Sequence, residues 1–387
     1  VKQQCAARTG LRFNSLAKAA GSGEFGRRRT SAAGDRVSEN IVIETAERIF
    51  ADLADAQSVN SATAGDWQAP LWAALTDAGL PLAWVPEALG GAGASLADGF
   101  SVASAAGRFA LPVPLVETML AGWLASRAGL AAPDGAMTVA PARPQDRVTL
   151  NADGTLSGRA RGVPFARDAQ HIAVIARSAD GFAVALVPIS ACRVERGETL
   201  AGDGADTVTF DKARPAAVKA ASPDLTPAAL MQMGAALRSL QIAGALETLL
   251  DLSVRYANER VAFEKPIAKF QAVQHNLARL AGEVAAAVTA AGSAADALAS
   301  GAPADAALLE VAAAKIRCAE AAEKGAAIAH QVHGAIGFSK EHILHRYSLR
   351  ALGWRDDFGV ESFWATELGR LVAARGADEL WPLVASR

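Results

Sequence analysis

The stretch "QVHGAIGFSKEHILHRYSLRALGWRDDFG", Gln331 to Gly359, sets polar anchors around a Gly-x-x-Gly turn, then a helical segment, then an acidic pair beside Phe-Gly. A glycine-bearing helix end lets backbone N–H groups approach a ligand with no Cβ in the way. Ser339 reads as an N-cap for the next helix, with Glu341 in its first turn.

Working outward, the chain of 387 residues suffices for two or three packed units. Apolar residues make up 51% and charged residues 20%, and no apolar run reaches the length of a membrane span. The expectation is a soluble protein with no membrane partner. A net charge of -2 offers no basic surface for nucleic acid. Cys5, Cys192 and Cys318 are scattered and odd in number, which excludes a disulfide framework and a thiolate zinc site and points to the cytoplasm.

Residues 1–38 are rich in Arg, Gly, Ser and Ala without an apolar period, as in a transit peptide, an expression scar or an upstream extension. Gly21 to Gly26 fits G-x-G-x-x-G, but no strand precedes it and three arginines follow, so it is not read as a dinucleotide site. Residues 39–135 read as an N-terminal helical domain, broken at "VPEALGGAGASLADG", where Ser95 or Asp98 caps the following helix. Residues 136–222 hold β-branched runs separated by Asp-Gly turns, which predicts a middle antiparallel β-domain. Residues 223–387 return to long Ala-Leu-rich helices, roughly 227–257, 267–299, 303–333, 341–353 and 360–373, a C-terminal bundle. The class is α+β in the order helix, sheet, helix. Wide apolar helix faces predict an oligomer.

A second stretch, "RYANERVAFEKPIAKFQAVQHNLARLAGEVAAA" from Arg255, joins the first. Together with the helix-sheet-helix order and "VPEALGGAGASLADG", they resemble the acyl-CoA dehydrogenase family of flavoproteins over about 39–387. The resemblance implies FAD between the β-domain and the C-terminal bundle. It assigns Arg260 to the FAD diphosphate, in many members across a subunit boundary, and Gln271 and Phe263 to the same cofactor. Gln331, Gly334 and Ala335 then match the family's Q-x-x-G-G, with alanine in place of the second glycine. A guanidinium suits that diphosphate because its planar fork bonds phosphate oxygens in pairs.

The implied reaction is α,β-desaturation of an acyl-CoA thioester, with a carboxylate taking the α-proton, the β-hydrogen passing as hydride to flavin N5, and electron-transferring flavoprotein as acceptor. One family position for that carboxylate, 27 residues after the Gln, is Phe358; the other, 26 residues before the Arg, is Gly234, with Ala235 beside it. Neither is acidic. Asp357 is the candidate base in this chain, although Asp falls about 1.5 Å short of Glu's reach. Glu361 is a fallback. The alternative is that Arg355, Asp356 and Asp357 form a plain charge cluster. The chain would then be a flavin-binding, catalytically silent partner subunit of a heteromeric dehydrogenase. Homo- or hetero-oligomer, dimer or tetramer, stays open.

His330, His333, His342 and His345 lie close in sequence but lack H-E-x-x-H or a carboxylate at metal spacing, so no metal is expected. No G-x-S-x-G elbow suggests a hydrolase.

Overall fold

The computed structural model describes the backbone of residues 32–61 and 68–385, with side chains described from Ile41 onward. Gly21 to Gly26, Cys5 and the rest of 1–31 lie outside the described residues. Residues 39–387 form one unit and Val1–Ser38 another, of which only the first turns of a helix are described.

The helices α1 (Ala32–Leu53), α2 (Ala56–Ser61), α3 (Gln68–Asp77), α4 (Leu96–Arg108) and α5 (Leu115–Arg127) come first. The start of α4 is a full capping box: the Ser95 hydroxyl accepts from the Asp98 N–H, and the Asp98 carboxylate accepts from the Ser95 N–H. Such a cap stabilises a helix by about 1 kcal/mol.

Eight strands follow: β1 (Met137–Ala140), β2 (Arg147–Leu150), β3 (Leu156–Pro164), β4 (His171–Ser178), β5 (Gly181–Pro188), β6 (Arg193–Glu195), β7 (Ala205–Ala213) and β8 (Ala217–Ala220). They form one sheet in the order β6-β7-β3-β2-β4-β5-β8, with β1 beside β4. Most pairs are antiparallel, but β4 meets both β1 and β2 in parallel. Side chains alternate across the sheet, as strand geometry requires. On β4 and β5, Ala173, Ile175, Val184 and Leu186 join the helical core, whereas Ile172, Val174, Ala185 and Val187 join a core of the sheet's own. That two-sided burial explains the near-continuous apolar runs in these strands.

The long α6 (Pro227–Glu259) then packs with α7 (Gln271–Ala299), α8 (Ala304–His333) and α9 (Leu344–Trp354), α10 (Glu361–Arg375) packs on α8, and α11 (Leu380–Ala385) ends the described chain. A two-residue hairpin, β9 (Val261–Ala262) with β10 (Lys265–Pro266), links α6 to α7.

One local expectation fails. Ser339 does not cap α9, which starts at Leu344 after a short 3-10 turn over Gly334–Phe338. The Ser339 hydroxyl accepts from Glu341 N–H, and the His342 Nδ1 accepts from Leu344 N–H. The buried Gly337 fixes the 3-10 turn, so the helix is delayed and a histidine takes the capping bond. Among the described residues no helix is long and apolar enough to cross a membrane.

Candidate functional site

Six of the sequence candidates gather at one end of the bundle. Arg260 caps the C-terminus of α6; its N–H bonds Tyr256 C=O and its C=O accepts from Ile267 N–H, so the backbone is held on both sides. Phe263 and Glu264 form the hairpin tip at φ 50 and 65, left-handed values that favour Asn and Gly. Held there, Phe263 is 89% exposed and meets Phe270 edge-on. Gln271 opens α7 just beyond. On the neighbouring helix Gln331, Gly334 and Ala335 end α8, tied to this group because Tyr256 stacks on His333 at 4.5 Å between ring centroids.

This end has the features a dinucleotide needs. Arg260, Gln271 and Gln331 are exposed, and Arg260 has no ion pair among the described residues. Gly334 has φ 64 and ψ -142, a conformation reserved for glycine, with open space where a Cβ would stand. Phe338, 76% exposed, adds a second uncovered aromatic ring. A planar fork, two amides, an accessible glycine and two bare rings are groups able to bond phosphate oxygens and to stack on planar rings. Truncation of Arg260 to alanine should weaken FAD affinity about 10- to 100-fold. Calorimetry with FAD checks this, and thermal unfolding of the flavin-free chain should not change.

The histidines lie beneath this end. His330 Nε2 meets Ser348 Oγ at 2.9 Å, and His333 Nδ1 donates to Ala329 C=O at 2.8 Å. Burial pushes the His330, His333 and His342 pKa values down, which favours neutral rings packed with Tyr256 and Phe338. No group of His, Cys, Asp and Glu fit to hold a metal occurs among the described residues.

Asp357 is elsewhere. Its carboxylate accepts from Arg238 Nε at 2.8 Å, and Arg238 lies 22 residues before Arg260 on α6, about 33 Å along the axis. Within one chain, therefore, the candidate base and the candidate cofactor residues belong to different places. Arg238 is only 2% exposed and bonds at every nitrogen: Nε to Asp357, Nη1 to Gln241 Oε1 at 2.5 Å, and Nη2 to Glu117 Oε1 at 2.6 Å. The rings of Trp354 and Phe358 flank it at 5.9 and 5.8 Å. Burial pushes the carboxyls of Asp357 and Glu117 up, and the guanidinium pulls them back only in part. Lys315, fully buried on α8, donates to Trp354 C=O at 3.0 Å and Arg355 C=O at 2.6 Å, and burial pushes its pKa down to about 8. Glu361 is bound to Arg355 at 3.0 Å. Asp356 is exposed.

The two family base positions meet in space. A Cβ at Gly234 would stand 2.3 Å from Phe358 Cδ1, so the Phe358 ring lies directly on the α6 backbone. Phe358 is buried at φ 52, and its C=O accepts from Trp364 Nε1 at 3.0 Å. An aromatic ring thus fills the space between the two positions. Sequence reading missed Glu117, Arg238 and Lys315. The signal was there for Arg238, the only charged residue between Pro227 and Leu246.

Comparison with known proteins agrees with this architecture. The family model "Acyl-CoA dehydrogenase, C-terminal domain" matches residues 227–355. The chain is 30% identical over 342 residues to the acyl-CoA dehydrogenase IpdE2 of Mycobacterium tuberculosis, covering 87% of this chain and 96% of that protein. Among solved structures it is similar to a variant of the Tcur3481-Tcur3483 steroid ACAD, with 26% identity, TM-score 0.77, and coverage of 88% of this chain and 99% of the other. It is also similar to the ChsE4-ChsE5 complex from Mycobacterium tuberculosis, with 25% identity, TM-score 0.75, and coverage of 90% and 99%. The chain belongs to the acyl-CoA dehydrogenase family, which consists of flavoprotein oxidoreductases acting on CH-CH groups.

Proposed function

We propose that this chain is a flavin-holding subunit of an acyl-CoA dehydrogenase that desaturates a CoA thioester, in an assembly where another chain supplies the catalytic carboxylate. The observation that carries this is the ring of Phe358 seated on Gly234, with Asp357 turned away into the Arg238 bond. The buried guanidinium engages one oxygen of Asp357, which ties the carboxylate to Arg238 and opposes its basicity. FAD, when bound, supplies the acceptor for the β-hydrogen. Arg260, Gln271 and Gln331 hold the diphosphate and its surroundings, while Gly334 and Ala335 allow close backbone approach. Their exposure in one chain supports a cofactor completed by a second subunit, and the similar ChsE4-ChsE5 complex is itself made of unlike chains. Electron-transferring flavoprotein is the proposed electron acceptor.

A second reading makes the chain an autonomous dehydrogenase with Asp357 as base. It is favoured by the upward push that burial gives this carboxyl, toward the range of a working general base. Anaerobic titration of the FAD-loaded chain with acyl-CoA thioesters, followed by the visible flavin absorbance, separates the two. The chain alone should not bleach, and a co-purified homologue with Glu at the family position should restore bleaching. Bleaching by the chain alone that vanishes in Asp357→Asn would overturn the proposal.

A further inference from the structure

A cavity of about 240 Å³ lies between the N-terminal helices and the sheet, and Gln68, Trp72, Val113, Phe165, Asp168 and Gln170 are among the residues lining it. They come from three separate stretches: the start of α3, the link between α4 and α5, and the link between β3 and β4. The cavity shares no residue with the flavin candidates, the Arg238 network, or Phe358 and Gly234. Its floor is apolar, with Val113 and Phe165 only 6% and 8% exposed and Pro112 and Pro114 buried beside them. Phe165 is held at φ 50 and ψ 28, a left-handed conformation uncommon for an aromatic residue. Its N–H donates to Gly204 C=O at 2.9 Å and its C=O accepts from Asp168 N–H at 3.0 Å, while Thr138 Oγ1 donates to the preceding Pro164 C=O at 2.6 Å. A conformation of this kind persists only where the surroundings over-determine it, and it clusters at ligand sites. Here it brings the Phe165 ring and Asp168 to one cavity.

The rim is polar, and its bonding capacity is unspent. Among the described residues no protein group bonds the Asp168 carboxylate, the side-chain amides of Gln68 and Gln170, or Trp72 Nε1. Gln170 is seated by Gly135, whose φ of 92 and missing Cβ let the amide oxygen lie against the backbone; a Cβ there would stand 2.0 Å from it. The cations whose charge reaches Asp168 are Arg167 and Arg196, and neither forms an ion pair with it. Arg167 is committed to Asp206 at 2.6 Å and to Glu198 at 3.5 Å. Partial burial pushes the Asp168 carboxyl up from its ordinary range, and Asp206 adds to this against the pull of Arg167. The cavity thus joins an apolar floor to one carboxylate that lacks a counter-ion.

We propose that this cavity binds a small organic cation, an ammonium group carried on a single aromatic ring, with the ring against Trp72 and Phe165 and the charge on Asp168. An ammonium supplies what the rim lacks: donors for the carboxylate and amide oxygens, and a positive charge attracted to the face of an indole. A neutral ring would use the floor and leave the carboxylate unpaired. An anion would meet Asp168 as a like charge, which excludes it. The volume lies below the usual range for drug-sized ligands, so one ring with a short substituent is the size that fits. The site does not depend on the CoA-thioester reading.

The test titrates three probes into the full chain in the presence of FAD, with binding followed by ligand-observed NMR: benzylammonium, its neutral counterpart benzyl alcohol, and methylammonium, which keeps the charge and lacks the ring. The parent should bind benzylammonium about 10-fold more tightly than benzyl alcohol, the size expected of one charge-assisted contact at a partly exposed site. Methylammonium should bind at least about 10-fold more weakly than benzylammonium, because it leaves the apolar floor uncovered. Asp168→Asn should abolish the preference for benzylammonium over benzyl alcohol, with benzyl alcohol binding and thermal unfolding unchanged. Asp168→Glu should keep part of the preference. Equal binding of the two ring probes by the parent, or a preference that survives Asp168→Asn, would overturn the assignment. So would methylammonium binding as tightly as benzylammonium, or no saturable binding of any probe.

Discussion

Replacing Arg238 with methionine is expected to destabilise the fold by about 3–5 kcal/mol at neutral pH. The size follows from what would be left behind. Glu117 and Asp357, on α5 and in the loop after α9, each give Arg238 a carboxylate oxygen inside the helical core. Their exposures are only 3% and 12%, so water does little to replace the lost bonds. Removing one member of a buried ion network costs far more than never having built it. The triple variant Glu117→Gln/Arg238→Met/Asp357→Asn should accordingly recover most of the loss.

The deficit should also depend on pH, with a definite sign. Both carboxyls are already raised above their ordinary values in the parent, and loss of the guanidinium raises them further. An acid whose folded pKa exceeds its unfolded one is no burden below the unfolded pKa; its cost grows as pH rises from the unfolded toward the folded value and is constant above that. The Arg238→Met deficit should therefore shrink on acidification and widen toward neutrality. Urea unfolding of both variants across that range measures it. A loss under about 1 kcal/mol at neutral pH would show that this network does not hold the three segments together.

The second large effect concerns Phe358 and Gly234. Phe358→Ala removes a fully packed ring and should cost about 3–5 kcal/mol. Gly234→Ala in the parent places a methyl group 2.3 Å from that ring, and overpacking of this kind costs about 1–3 kcal/mol. In the Phe358→Ala background the same Gly234→Ala change has room, and the better helix propensity of alanine favours it by about 1 kcal/mol. Its effect should reverse sign. The double-mutant cycle therefore predicts a coupling of about 2 kcal/mol or more, within the range seen for residues in contact. Additive losses would mean that the two positions do not share one space.

This coupling bears on function. The family has two places for its base, distant in sequence, and the fold brings them against each other. Here an aromatic ring occupies the shared volume, and the nearest acid is spent on Arg238. The same substitutions that remove a carboxylate thus also close the space where it would act.

Much was legible from the residues. The start of α4 is local, so a serine and an aspartate after the glycine break announce a cap there, and the structure shows that the two share it. The long helices and the β-branched runs are set by periodicities of 3.6 and 2, which need no partner to be read. Arg260, Gln271 and Gln331 carry a spacing distinctive enough to name the family. The delayed start of α9 was not legible, because a histidine side chain and a buried glycine, rather than the nearest serine, decide it.

The sequence by itself determined the class of the protein, the helix-sheet-helix order and the absence of an acid at either family base position. It also put Asp357 forward as a substitute base. Only the tertiary structure decided what Asp357 touches. That partner, Arg238, stands 119 residues away, and Glu117 lies a further 121 residues before Arg238. Nothing local fixes such contacts. They form because three separate segments pack into one core, where a buried charge must find its opposite or be neutralised.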